Sequence, residues 1–305
     1  MKTKTVELEN AADAILAGTY DPSKEYYFDA GESFNQPLPE GFTCHEFDCG
    51  KSFNYPLPEE FRCYGAFLCG DSFNQLLPEV FRCGGAFTCG NSFNQPLPEA
   101  FRCGGKFVCG DLFNQPLPKD FECHDYFHCG HSFNQPLLKD FECNVFWCGN
   151  SFNQPLPKDF KCGDYFHCGN SFNHPLPEGF KCMNFTCGKS FNQPLHEGFV
   201  GGSNFWCGES FNQPLPKGFI CRGDFSCETL FNQPLPEGFI CRGDFWCGAS
   251  FNQPIPEGFS CKVFHVGPSF THPVPVGCER CDLAGKIHLI NQLLPDGFGH
   301  GGFEK

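Results

Sequence analysis

Cysteine offers the most chemistry in this chain, supplying 24 of its 305 residues. One column comprises Cys44, Cys63, Cys83, Cys103, Cys123, Cys143, Cys162, Cys182, Cys221, Cys241 and Cys261, and a second runs in the same rhythm from Cys49 to Cys247. Thiols spaced so evenly fit three chemistries: reduced core groups, disulfides within or between repeats, or soft-metal ligands. Columns bridged obligately would vanish together. Instead Val200 stands where the first column should continue while Cys207 persists, and Val266 interrupts the second while Cys261 persists. Replacement by Val favours small buried apolar groups. The densest ligand set, Cys123-His124-Asp125-Tyr126-Phe127-His128-Cys129-Gly130-His131, lacks the spacing of a compact zinc pair. No metal, cofactor or catalytic constellation is expected.

Two other features point to binding rather than reaction. Arg222-Gly223-Asp224 and Arg242-Gly243-Asp244 each occupy a turn between two Cys and resemble an integrin-recognition tripeptide. The same turn carries Gly163-Asp164 elsewhere, so duplication of a turn that favours Gly and Asp explains them equally. The variable position between Phe and the second Cys reads Asp48, Leu68, Thr88, Val108, His128, Trp147, His167, Thr186, Trp206, Ser226, Trp246, His265. All three Trp of the chain fall in it. Strand alternation turns this position away from the core, which predicts an exposed stripe with His128, Trp147, His167, Trp206, Trp246 and His265 as a partner surface. Charges beside the first arm reverse together, from Glu79 with Arg82 and Glu99 with Arg102 to Lys119 with Glu122 and Lys139 with Glu142. Such a pattern predicts local surface pairs, which stabilise little.

These positions share columns because the chain repeats. The Phe of each Phe-Asn pair recurs at 34, 53, 73, 93, 113, 133, 152, 172, 191, 211, 231 and 251, in steps of 19 or 20, with Phe270 and Ile290 in degenerate copies. A fixed short period of this kind marks a solenoid, in which a coil buries its apolar side only against the coils above and below. Each Phe-x-Cys places two inward residues two apart, so every coil should carry two short strand-like arms. Pro-Leu-Pro cannot supply regular ladder donors and should form an extended corner. The Asn column from Asn35 to Asn252 is expected to be a structural ladder satisfying backbone groups at that corner. The turn between the arms varies in length, as in Cys143-Asn144-Val145-Phe146 against Cys123-His124-Asp125-Tyr126-Phe127, and should face solvent. Past Phe251 the pattern decays, and Cys278 reads as falling in a Phe column. Residues 1–30 are expected to form a short helical cap, 31–282 the solenoid, and 283–305 a C-terminal cap and tail.

Composition agrees. Forty Phe against two Met fits a few buried columns copied vertically. A formal net charge of -14 argues against nucleic acid as a partner. There is no apolar run long enough for a membrane span, and the acidic N-terminal residues are unlike a signal peptide, so cytoplasm is the default compartment. The abundance of Cys keeps virion or cell surface as the alternative.

The series Phe-x-Cys-Gly-x-Ser-Phe-Asn-Gln-Pro-Leu resembles the BspA-type leucine-rich repeats, and the FNIP repeats look related. The resemblance covers roughly residues 31–300, and this chain departs from the family in its shorter units and in having an additional Cys column, Cys44 through Cys261. It implies a solenoid used in adhesion or protein binding, with no catalytic residues. The resulting expectation is a mostly β, right-handed, leucine-rich-repeat-like solenoid of about 13 coils. Its expected role is that of a non-enzymatic scaffold for protein–protein interaction. The alternative is a structural part of a fibre, surface layer or virion, hardened by disulfides and self-associating end to end or laterally.

Overall fold

The computed structural model describes residues 27–199, 201–275 and 277–282, together with Ile15 and Ala17. The cap expected over 1–30 lies almost wholly outside the described residues, and the cap expected over 283–305 and Val200 lie outside them entirely. The fold is a parallel β-solenoid of about 13 turns, nearly all β. Two compact units, 1–157 and 158–305, divide it and are described separately.

Unit one contains β1 (Tyr27–Asp29), β2 (Thr43–Cys44), β3 (Glu46–Asp48), β4 (Arg62–Cys63), β5 (Phe67–Cys69), β6 (Arg82–Cys83), β7 (Phe87–Cys89), β8 (Arg102–Cys103), β9 (Phe107–Cys109), β10 (Tyr126–Cys129) and β11 (Glu142–Cys148). The second arms pair in parallel, each on the next copy of itself, so that Phe87 faces Phe107, Phe107 faces Phe127 and Phe127 faces Phe146. The first arms β2, β4, β6 and β8 form a smaller parallel sheet. Unit two repeats the plan in β12 (Lys161–His167), β13 (Asn184–Cys187), β14 (Asn204–Cys207), β15 (Ile220–Cys221), β16 (Phe225–Cys227), β17 (Ile240–Cys241), β18 (Phe245–Trp246), β19 (Ser260–His265) and β20 (Gly277–Asp282). Its second arms again pair copy on copy, and β15 pairs with β17.

Alternation sends Phe and Cys inward, so Phe107 and Cys109 are buried and Val108 between them is half-buried. Three Phe per coil form three vertical stacks. Phe93 lies on Phe113 at 5.9 Å, Phe101 on Phe121 at 6.0 Å and Phe107 on Phe127 at 5.6 Å, the rings of each pair nearly parallel. Between stacks the rings meet edge to face, Phe107 meeting Phe121 at 5.0 Å and 84° and Phe113 at 5.9 Å and 68°. Tilting suits the ring quadrupole, which disfavours a face-to-face sandwich.

The corner carries the expected ladder. The Asn114 N–H donates to Asn94 Oδ1 at 2.9 Å, and the Asn134 N–H donates to Asn114 Oδ1 at 2.9 Å. The adjacent Gln joins it, since Gln135 Nε2 donates to the carbonyl oxygen and Oδ1 of Asn114 at 3.0 and 3.2 Å. After Pro-Leu-Pro a tight turn brings the Phe101 N–H to Pro98 O at 2.9 Å. Glycine ends the second arm because coils touch there: a Cβ on Gly110 would collide with the backbone of Gly90.

Register corrects three readings. Gly201, not Val200, takes the missing place in the first Cys column: it follows Phe199 as Cys221 follows Phe219, and its N–H donates to Ile220 O at 2.9 Å. A Cβ there would lie 2.9 Å from the Phe219 ring. Cys278 pairs with Cys261 and extends the first thiol column, while Cys281 takes the Phe column opposite Phe264. Arg102, expected to pair with Glu99, instead reaches the main chain, its Nη1 donating to the carbonyls of Phe101 and, in the next coil, Asp120 at 2.8 Å each.

The cysteines are thiols, all buried except the half-buried Cys103. Several donate to the turn carbonyl three residues ahead, as Cys123 does to Tyr126 O at 3.2 Å and Cys221 to Asp224 O at 3.1 Å. Burial pushes Cys221 and Cys241 up to about 12. Thiols held protonated in this way are poor nucleophiles.

Candidate functional site

The outward position of the second arm forms a continuous column within each unit. In unit one it ends with His128 on β10 beside Trp147 on β11, their ring centroids 5.6 Å apart. In unit two it runs His167, Thr186, Trp206, Ser226, Trp246, His265, Asp282 on successive in-register strands. The structure therefore groups His128 with Trp147, and places His167, Trp206, Trp246 and His265 on one face of unit two.

That face is less open than alternation alone predicts. Trp147 is exposed at 39 %, whereas Trp206, Trp246 and the three His are half-buried. Parallel neighbours stand only about 4.8 Å apart, so large outward side chains lie against one another. Trp246 stacks on His265 at 4.4 Å and 6°. His265 sits between two carboxylates, with Nδ1 3.1 Å from Asp282 Oδ2 and Nε2 3.8 Å from Asp244 Oδ2. Burial holds His128 below the ordinary imidazole value, with Asp111 acting the other way. Trp206 and Trp246 stand two coils apart with Ser226 between them, which leaves a notch roughly 9–10 Å wide measured along the backbone. One wall is Trp206, the other is the Trp246–His265 stack, and the floor is a small hydroxyl residue.

The Arg-Gly-Asp turns are built into a second side-chain ladder that sequence reading missed. Asn184 Nδ2 donates to Asp164 Oδ1 at 3.0 Å, and Asn204 Nδ2 donates to Asn184 Oδ1 at 2.9 Å. The Asp224 N–H donates to Asn204 Oδ1, and the Asp244 N–H to Asp224 Oδ1, both at 2.9 Å. Arg222 and Arg242 project into solvent, Gly223 is half-buried and Gly243 buried, and Asp224 and Asp244 are half-buried. The Asp224 carboxylate is thus engaged within the turns. The available signal was an Asn or Asp directly before the second-arm Phe in four consecutive coils, at Asn184, Asn204, Asp224 and Asp244.

Around the His-rich segment, Cys123 and Cys129 point inward and His124 and His131 outward, with His131 Nδ1 3.0 Å from Asp111 Oδ1. Among the described residues no three His, Cys, Asp or Glu side chains converge as metal ligands, and no helix is long and apolar enough to cross a membrane.

No protein-family model matches the chain, and no curated protein matches it. Among solved structures it is similar to one described as the crystal structure of CroV588, a novel circular LRR protein, with 20% identity and a TM-score of 0.44. The match covers 85% of this chain and 52% of that one, so this chain spans about half the length of that protein.

Proposed function

We propose that this chain is a non-enzymatic repeat scaffold that binds a partner protein through the outward face of its second-arm sheet. Trp147 anchors the face in unit one. His128 stands beside Trp147, and in unit two Trp206 and Trp246 anchor the face, with His167 and His265 in the same column. The observation that carries the reading is the notch over Ser226, where two Trp stand on adjacent-but-one strands of a rigid parallel sheet. Trp is enriched among the residues that dominate binding energy, and side chains already immobilised by stacking lose little entropy on association. The resemblance to BspA-type and FNIP repeats supports the same role, and the buried thiols suit a reducing, cytoplasmic setting. The test replaces Trp147, Trp206 and Trp246 with Ser. The far-ultraviolet circular dichroism should be unchanged, and the proteins captured reproducibly by the wild-type chain should be lost; retained capture would refute the face as the site.

A structural role in a hardened rod or shell is the second reading. Its support is the close approach of thiols on successive coils, with Sγ atoms 2.9 Å apart for Cys168 and Cys187 and 2.8 Å apart for Cys261 and Cys278. Non-reducing mass spectrometry of the native protein separates the two, since extensive bridging would favour the structural role and free thiols the binding module.

A further inference from the structure

A second surface lies on the first arms of unit one. The outward side chains of β4, β6 and β8 are Arg62, Arg82 and Arg102, with Arg82 and Arg102 in register. Like charges placed directly opposite on neighbouring strands are destabilising. Arg102 is anchored on two main-chain carbonyls. The side chains of Arg62 and Arg82 are exposed and form no ion pair among the described residues, Arg82 not engaging the Glu79 expected beside it. In a chain of net charge -14 the surface they line carries three Arg against one Glu, Glu122.

Two residues beyond each Arg stand Tyr64, Gly84 and Gly104, and His124 takes the same place after Glu122 in the next coil. The two glycines leave a trough of about 770 Å³ between Tyr64 and His124. Neither glycine can be exchanged cheaply, because a Cβ on Gly84 would run into the Tyr64 carbonyl oxygen and one on Gly104 into that of Gly84. The trough is therefore fixed by coil spacing, with the arginines along one wall. Tyr64 and Val80 stand at its rim, 61 % and 60 % exposed. Three coil steps of about 4.8 Å give a length near 14 Å, which matches about four residues of extended peptide.

We propose that this trough binds an extended peptide segment whose carboxylate side chains alternate with apolar ones. The carboxylates pair with Arg62 and Arg82, and the apolar side chains pack on Tyr64 and Val80. A peptide fits better than a long polyanion because the trough ends at Glu122, and the overall charge repels polyanions. The site does not depend on the aromatic face of the second arms.

The probe is a fluorescein-labelled hexapeptide of alternating glutamate and leucine, titrated with the full chain by fluorescence anisotropy. Saturable binding is expected, weakened about tenfold in the Arg62→Ala, Arg82→Ala double variant and also weakened by Tyr64→Ala and by salt. Both arginines are exposed, so the variant should keep the wild-type circular dichroism. An absence of saturable binding, or equal affinity in the double variant, would overturn the site. Tripolyphosphate that displaces the peptide and binds as tightly to the Tyr64→Ala variant as to wild type would overturn the peptide assignment in favour of a simple anion site.

Discussion

Removing one amide oxygen from the corner ladder tests whether the Asn column holds the coils together. In Asn114→Ala the substituted residue keeps its own N–H bond to Asn94, so the injury falls on the next coil, where the Asn134 N–H loses its acceptor. Gln135 keeps its bond to the Asn114 carbonyl. An orphaned, partly buried N–H costs about 1–3 kcal/mol, and the half-buried setting of Asn134 suggests roughly 2 kcal/mol. With a urea m-value of roughly 2 kcal/mol/M the midpoint should fall by about 1 M. Asn114→Asp retains the accepting oxygen and should shift the midpoint by less than about 0.3 M. Urea unfolding followed by circular dichroism measures both. If Asp proves as damaging as Ala, or Ala is harmless, the ladder does not work through that oxygen.

Two further outcomes follow from the core. Phe107 touches Phe87, Phe101, Phe113, Phe121 and Phe127, so Phe107→Ala should cost about 3–5 kcal/mol, whereas Phe107→Leu, which keeps much of the volume, should cost clearly less in the same unfolding assay. Alkaline stability should also be limited by thiols. Burial pushes the folded Cys221 and Cys241 thiols up to about 12, above the ordinary thiol value, so the native state holds protons that the unfolded chain releases. Their contribution is complete below the unfolded value and is lost as pH rises from there through the folded value, by up to about 1.4 kcal/mol per pH unit per thiol. The melting temperature should therefore fall steeply across this window. Iodoacetamide at mildly alkaline pH should label these cysteines only after denaturation, as read by peptide mass spectrometry.

The coil was legible because each of its columns repeats one residue type. Phe101, Phe107 and Phe113 sit where period and alternation put them, and Asn94 makes the bonds its corner requires. The Gln135 bond, the ladder through Asn204 and Asp224, and the thiol of Cys221 on Asp224 O were not legible. Each answers a main-chain group whose need appears only when one coil lies on another. The misplaced Val200 had the same origin: with no thiol in the first arm of that coil, only Phe199 fixes the register there, and counting from it places Gly201 inward. The second-arm column was located correctly but expected to be open, because alternation gives a side chain's direction and says nothing of neighbours one coil away. Trp246 under His265 shows the difference.

Where the turn shortens by one residue between β10 and β11, Phe127 still stacks on Phe146 at 5.7 Å and Asn134 still accepts the Asn153 N–H at 2.8 Å. The whole loss is absorbed between Cys143 and Phe146, where the two arms run together as a single strand. A coil is therefore a replaceable part whose fittings ignore its exact length. Copies can be gained, lost or edited by recombination without redesigning the core, and each one writes a single side chain onto the outer face. A lineage carrying such a chain can vary its outer face one coil at a time while the frame beneath stays the same.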